Sequence, residues 1–309
     1  MNETSPHGIS GERATPLVSV IIPTYNHAHF LGRALQSVLD QTHPNWEAIV
    51  IDNHSQDNTD EIVRSYRDPR ITLLKIHNKG VISASRNMGI RAARGEWIAF
   101  LDSDDFWYPA KLEHCLAKLN EGFDLVCHGE RWLGEGRDRK MFYGPEARAS
   151  YHSLLFDGNC ISTSAVVVSR EHVEAAGGFD EDPNVITAED YDLWLRLARN
   201  GARIGFVHEI LGEYLIHGGN QSKAVLRNME AVMCVVRKHL ADLEVDTLAK
   251  RLSARRREAI VYYSGARGLQ DNGQHGEAWP YFWRALSAWP FPVKFYAAMV
   301  LNALHRRLV

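Results

Sequence analysis

The chain has 309 residues and a mass of 35.0 kDa, with 45% hydrophobic and 24% charged residues. Such proportions belong to a soluble globular protein and exclude a fibrous or wholly disordered one; at roughly 150 residues per domain, the length predicts about two domains. A formal net charge of −3 leaves no basic surplus for wholesale nucleic-acid binding.

No apolar run reaches the roughly 18 residues that a bilayer span requires. The polar start, MNETSPHGISGERATP, has no signal-like apolar stretch, and residues 1–16 read as a disordered lead-in. LVSVII (Leu17 to Ile22) is apolar, β-branched and stopped by Pro23, so it reads as a buried strand. Ala28 to Leu39 carries apolar residues at helical spacing. Trp46 to Asp52 predicts a second strand, Asp57 to Tyr66 a helix, Ile71 to Ile76 a third strand and Ser83 to Ala93 a helix. Glu96 to Asp102 predicts a fourth strand, Lys111 to Leu119 a helix and Phe123 to His128 a fifth strand. Residues 129–158 are polar and glycine-containing, and read as a mobile loop over a site. Ile161 to Ser169 predicts a strand, and Ala188 to Asn200 a helix closed by Gly201. Ala202 to His217 reads as two short strands. The remainder is helical in pattern: Ala224 to Leu240, Val245 to Leu269, His275 to Ala288 and Lys294 to Leu304.

Strands alternating with helices at this spacing imply βαβ units, hence an α/β protein with a mostly parallel sheet. In such sheets ligands sit at the carboxyl ends of strands. Three places qualify: Pro23 to Asn26, Asp52 to Asp57, and Asp102 to Asp105. Charge divides the chain as well. Residues 223–309 hold 14 basic and 7 acidic side chains, leaving the first 222 residues with a surplus of ten negative charges. The expected organisation is a lead-in (1–16), an α/β domain (17–222) and a helical region (223–309). Four cysteines (Cys115, Cys127, Cys160, Cys234) with no C-x-x-C pair support neither a zinc nor a disulfide framework and suit a reducing cytoplasm.

Four segments could carry chemistry. In FLDSDDFW (Phe100 to Trp107), Asp102, Asp104 and Asp105 crowd one strand end and repel one another unless a cation or solvent compensates. Hard oxygen ligands suit Mg²⁺ or Mn²⁺; a solvated turn with one Asp capping the next helix fits the spacing equally. In DNHSQDNT (Asp52 to Thr59), Asp52 could accept from a nucleobase or ribose, although Ser55 or Asp57 starting a helix is the simpler reading. In TAEDYDLWLRL (Thr187 to Leu197), Thr187 and Asp190 look like a capping pair, with Glu189 and Asp190 at the positive helix end. A carboxylate there would also stay ionised and serve as a general base. In YLIHGGNQS (Tyr214 to Ser222), a lone His217 after a strand is more often structural, and Gly218 and Gly219 permit close approach of a phosphate.

Taken in order, VSVIIPTYN (Val18 to Asn26), IVIDNHSQD (Ile49 to Asp57), SASRNMGI (Ser83 to Ile90), FLDSDDFW, GGFDE (Gly177 to Glu181), AEDYDLWLRLARNG (Ala188 to Gly201) and YLIHGGNQS resemble glycosyltransferase family 2, on the GT-A fold. The resemblance spans Val18 to Ser222. It implies an inverting enzyme that moves a sugar from a nucleotide diphosphate donor, a UDP-sugar by family habit, to a hydroxyl of a glycan or lipid-linked acceptor in bacterial surface polysaccharide synthesis. It places Thr24, Tyr25 and Asn26 at the nucleoside, Asp52 on the base, and Arg86 on the base or phosphate. Asp102 and Ser103 would face the ribose side of the D-x-D motif. Asp104 and His217 would bind Mn²⁺ or Mg²⁺, and Asp190 would be the catalytic base. Glu189, Gly178, Phe179 and Asp180 would lie on the acceptor side, bordered by the 129–157 loop. One departure is Asn53, where many relatives carry a second acid.

The basic rear, with Trp279, Trp283 and Trp289 ahead of WPFPVKFYAAMVLNALHRRLV, suits an anionic membrane surface; alternatively these aromatics pack the helices together or form a homodimer contact. The expected location is cytoplasmic, at the inner face of the membrane if that surface is used. A non-catalytic sugar-nucleotide or glycan-binding protein on the same fold is the alternative. A nucleotidyltransferase lacks its glycine-rich basic loop here, and a redox dinucleotide enzyme lacks G-x-G-x-x-G.

Overall fold

The computed structural model describes residues 15–218, 224–243 and 247–306. Most of the expected lead-in (1–14), the GNQS end of the YLIHGGNQS motif and the expected helix start at Val245 lie outside the described residues.

Strands β1 (Val18–Thr24) and β2 (Trp46–Asp52) are buried on both faces, which is why they read as continuous apolar runs rather than alternations. With β3 (Ile71–Lys75) and β4 (Trp97–Phe100) they form a parallel set in the order β3-β2-β1-β4. Helices α1 (Ala28–Leu39), α2 (Thr59–Ser65) and α3 (Ile82–Ala92) cross between them. One face of β1 (Val18, Val20, Ile22) packs with Leu31, Leu35 and Val38 of α1. The other, through Ile21, packs with Ile51 and with Ile90 of α3.

Beyond β4 the sheet turns mixed. The elements are β5 (Phe106–Trp107), α4 (Lys111–Leu119), β6 (Leu125–Gly134), β7 (Arg137–Met141), α5 (Tyr151–Asp157), β8 (Val166–Ser169), α6 (Arg170–Ala175), α7 (Glu189–Arg199) and β9 (Ile204–Leu215). The full order is β3-β2-β1-β4-β8-β6-β9-β5, with β7 paired to β6. β8 runs antiparallel to β4 and β6, β6 and β9 run parallel, and β5 is antiparallel to β9. The parallel expectation therefore holds for the first four strands and for the β6–β9 pair.

Three local expectations are corrected. The supposed loop at 129–158 is the outer part of β6, the β7 hairpin, a 3-10 turn at Glu146–Ala149 and α5. Its strands hide from periodicity because β7 is solvent-exposed and stapled by charge, as in the Arg131–Asp138 pair at 2.6 Å. Within Ile161 to Ser169, only Val166–Ser169 is a strand, and Thr163–Ala165 is a 3-10 turn. Ala202 to His217 contains one long strand; register shifts against β6 between His128 and Glu130 give it the look of two.

Helices α8 (Val225–Ala241), α9 (Leu248–Asp271), α10 (His275–Ala288) and α11 (Val293–Ala303) follow. Met229, Met233, Val236 and Leu240 of α8 join the same apolar cluster as Leu193 and Trp194 of α7. The helical rear is thus continuous with the α/β core, while Phe282 and Phe295 centre smaller clusters among α9, α10 and α11.

Gly89 sets how close α3 comes to the sheet. A Cβ there would lie 2.6 Å from Ile21 Cγ2 and 2.9 Å from Ile51 Cδ1. Alanine would gain up to about 1 kcal/mol of helix propensity, but it overpacks a buried seam at a cost of roughly 1–3 kcal/mol. Gly89→Ala should therefore lower the urea midpoint; a raised midpoint would refute the seam argument.

Candidate active site

The carboxyl ends of β1 and β2 are knitted together before any ligand is considered. Asn26, at φ 52°, donates its backbone N–H to Ser55 Oγ (2.8 Å) and accepts from Gln56 N (2.7 Å). Asp57 accepts from Ala28 N at 2.9 Å and from the Thr59 hydroxyl at 2.6 Å, so it ties α1 to α2. Asp52 is fully buried, bonded to Ser55 and ion-paired with Lys75. Against this scaffold Tyr25 is 53% exposed, while the buried Thr24 hydroxyl has no hydrogen-bond partner among the described residues. A rigid cleft with an exposed aromatic face and an unspent hydroxyl suits a flat polar ligand.

At the end of β4, Asp105 is buried and accepts from Ser164 Oγ and from Leu215 N (3.1 Å). Burial, reinforced by the Asp104 and Glu130 charges, pushes its carboxyl well above the usual range. Asp105 therefore locks β9 and the turn before β8 to the motif. Asp104 meets His217, Nε2 to Oδ2 at 2.8 Å. The His27 ring bonds Ser103 Oγ at 3.0 Å, and Phe30 lies 4.8 Å from the His217 ring. Among the described residues no group of three or more His, Cys, Asp or Glu could hold a metal ion. One carboxylate and one imidazole nevertheless suit Mg²⁺ or Mn²⁺, ions that usually complete their shell with water and substrate phosphates.

Arg86 joins this end to the next. It is 3% exposed; Nη2 donates to Asp102 Oδ1 at 2.8 Å and Nη1 to Glu189 Oε1 at 2.6 Å. These two carboxylates hold its pKa above the ordinary value despite burial. Arg86, expected as a nucleotide ligand, is a strut between these two carboxylates, and its buried Nε has no hydrogen-bond partner among the described residues. Glu189, expected on the acceptor side, is its buried counter-ion and also accepts from Thr187 N at 2.7 Å.

Asp190 follows at the head of α7. Its Oδ2 accepts from Thr163 Oγ1 at 2.8 Å and its Oδ1 from Tyr191 N at 2.6 Å. Burial first, then the Glu189 charge, pushes its carboxyl up to about 6, opposed by the Thr163 hydroxyl and Arg86. The expected Thr187–Asp190 capping pair does not form. Ala188 occupies the cap position without a side-chain bond, and Thr187 sits at φ 84°, with its hydroxyl 3.5 Å from Asn228 Oδ1. A β-branched residue there costs on the order of 1–3 kcal/mol, which the surrounding bonds must offset.

Two cavities flank the site. One, of about 620 Å³, is lined by Gly178, Phe179 and Asp180 with Asn87, Arg91 and Lys238, and Asp190 is not among its walls. Phe179 is 2% exposed, packed on Phe100, so its ring is core; Asp180 is ion-paired with Lys238 at 2.7 Å. The other, of about 560 Å³, opens onto Asp190 between α7, the Asp157–Asn159 turn, α8 and α9. The acceptor-side residues expected from GGFD are thus separate from the Asp190 cavity. Thr163, Ser164, His27 and the α8–α9 wall escape sequence reasoning. The S-T-S interruption of an apolar run at Ser162 to Ser164 was the one available signal.

Residues 19–158 match the family model for glycosyl transferase family 2, and residues 97–289 match that for glycosyl transferase family group 2. The chain is 34% identical over 209 residues to TuaG of Bacillus subtilis, named for teichuronic acid biosynthesis, covering 64% of this chain and 79% of that one. It is 33% identical over 186 residues to the Escherichia coli UDP-Glc:alpha-D-GlcNAc-diphosphoundecaprenol beta-1,3-glucosyltransferase WfgD, covering 60% and 70%. The structure of S. aureus TarS in complex with UDP-GlcNAc superposes with a TM-score of 0.65 at 20% identity, covering 93% of this chain and 86% of that one. The sheet and its flanking helices are the GT-A arrangement, and the chain belongs to glycosyltransferase family 2.

Proposed function

We propose that this glycosyltransferase moves a sugar from a UDP-sugar to a hydroxyl of a glycan or lipid-linked acceptor in bacterial surface polysaccharide assembly, with inversion. The observation that carries this reading is the Arg86 bridge. It couples the strand-end acids, through Asp102, to the head of α7, where Asp190 opens onto a separate cavity. Donor and acceptor would then meet across one rigid ion-pair strut. TuaG is named for teichuronic acid biosynthesis, WfgD for glucosyl transfer from UDP-Glc to a diphosphoundecaprenol-linked sugar, and TarS is solved in complex with UDP-GlcNAc, which supports the donor and setting chosen.

In this reading Thr24, Tyr25, Asn26 and Asp52 form the nucleoside cleft, with Asp102 and Ser103 towards the ribose. Asp104 and His217 would hold Mn²⁺ or Mg²⁺, whose chemistry there is neutralisation of charge on the departing diphosphate. Asp190 takes the proton of the acceptor hydroxyl as that oxygen attacks the anomeric carbon from the opposite face. Thr163 and Tyr191 N fix the carboxylate's orientation, and alignment of the two substrates supplies much of the rate.

Among the described residues no helix is long and apolar enough to cross a membrane. Val293, Tyr296, Val300 and Leu304 form an exposed apolar stripe on and just past α11, beside exposed Trp283 and Phe291. Lys294 and Arg306 flank it. An apolar stripe with cationic flanks suits shallow insertion into an anionic membrane surface.

Asp190→Asn should lower transfer by roughly 10²–10⁴-fold with UDP binding retained by calorimetry; loss of UDP binding from folded protein would count against the base. The base acts only when ionised, so the acid limb of the rate should have its midpoint near about 6. Thr163→Val, which removes a bond favouring the carboxylate, should move that limb upward. Asp104→Ala should abolish the gain in UDP affinity that Mn²⁺ gives over chelator; an undiminished gain would sink its ligand role. Val300→Asp should reduce co-flotation with anionic liposomes. A concentration-dependent dimer dissolved by the same substitution would assign the stripe to a second copy instead.

A further inference from the structure

The cavity beside Asp190 contains a cation that nothing else in the site explains. Arg257 of α9 is 4% exposed and lines this cavity. Its Nη2 donates to the Tyr191 hydroxyl at 3.3 Å and its guanidinium carbon lies 6.0 Å from the Tyr191 ring; among the described residues its Nε has no hydrogen-bond partner and no carboxylate forms an ion pair with it. Its neighbour Arg256 is the one that approaches Asp157, at 3.7 Å, and is half exposed. A guanidinium cannot shed its proton to escape burial. Burying it with an unspent N–H and no counter-charge is unfavourable unless an anion completes the site.

The surroundings keep that space open. Gly158, at φ 103°, faces the guanidinium, and a Cβ there would lie 3.5 Å from Nη1. Further along α9, Gly265 and Gly268 let that helix pack closely against Met229 and Val225 of α8; a Cβ would lie 2.4 Å from Met229 Sδ and 2.8 Å from Val225 Cγ1. The helical rear thus forms a wall facing Asp190, with the guanidinium set in it. The adjacent Tyr191 connects them, its N–H on Asp190 and its hydroxyl on Arg257.

We propose that this cavity is the acceptor subsite and that Arg257 selects an acceptor bearing an oxyanion, a carboxylate or a phosphate, near the hydroxyl that Asp190 deprotonates. The inference rests on Asp190 being the base. A planar fork of N–H donors matches paired oxygens of either group, while a neutral sugar would leave the buried charge unmatched.

The test is ligand-observed NMR on the full chain held with saturating UDP and Mg²⁺, which is diamagnetic, so that the donor end is filled. Three probes are compared: methyl β-D-glucuronide, methyl β-D-glucoside and N-acetylglucosamine 1-phosphate. At least one anionic probe should bind tenfold or more tighter than the glucoside, and which one does so identifies the source of the charge. Arg257→Gln should erase the difference and Arg257→Lys should retain part of it. Equal binding of all three probes, or binding of none, in wild-type protein that binds UDP overturns the proposal without recourse to a variant. An anionic preference that survives in folded Arg257→Gln overturns it as well. Failure of the wild-type protein to bind UDP at all would instead strike the donor reading, which separates the two.

Discussion

The buried guanidinium of Arg86 is the interaction on which the site's geometry depends. It sits on α3, and α3 reaches the sheet only because Gly89 lets the helix settle onto Ile21 and Ile51. From there Arg86 pulls together Asp102, at the end of β4, and Glu189, at the head of α7. Removing one partner of such a buried pair strands the others, at a cost of roughly 3–5 kcal/mol. The strut therefore fixes the separation between the two halves of the site, and it also holds Glu189 next to Asp190. The Glu189 charge adds to burial in keeping the Asp190 proton affinity high, while Arg86 itself works the other way. Burial and one ion-pair network thus set both position and basicity.

The rest of the cleft is built by loops binding to loops. Asn26, Ser55, Gln56 and Asp57 lock the turns after β1 and β2, and Ser164 spans the Asp102 backbone and the Asp105 carboxyl. Nearly every polar group of these turns is spent on a neighbour. Among the described residues the Thr24 hydroxyl is an exception, as are Arg86 Nε within the site and Arg257 Nε across it. In a network otherwise saturated, unspent buried groups are where a ligand is recognised.

The helical rear has two distinct surfaces. Its inner side, α8 and the adjoining face of α9, belongs to the α/β core and closes the cavity beside Asp190. Its outer side presents the apolar stripe of α11.

Much was legible in the chain order alone. Fully buried strands announce themselves as apolar runs, and acids clustered just after them mark the sheet's carboxyl ends; β1, β2 and β4 and the places they lead to followed from that. The family resemblance added the roles. What could not be read was anything produced by contact between distant segments. The β6–β7 hairpin is charged on its exposed faces and so has no periodic signal. That two carboxylates, 16 and 103 residues away, hold Arg86 is likewise invisible in the sequence. GGFD resembled an acceptor rim, but Phe179 is consumed by the core. Arg257 looked like one more charge in a basic helix. Local propensity and burial pattern determine where strands end and which residues gather there. Which of those residues are spent on one another, and which are left for a substrate, depends on long-range packing, and only the tertiary structure decided it.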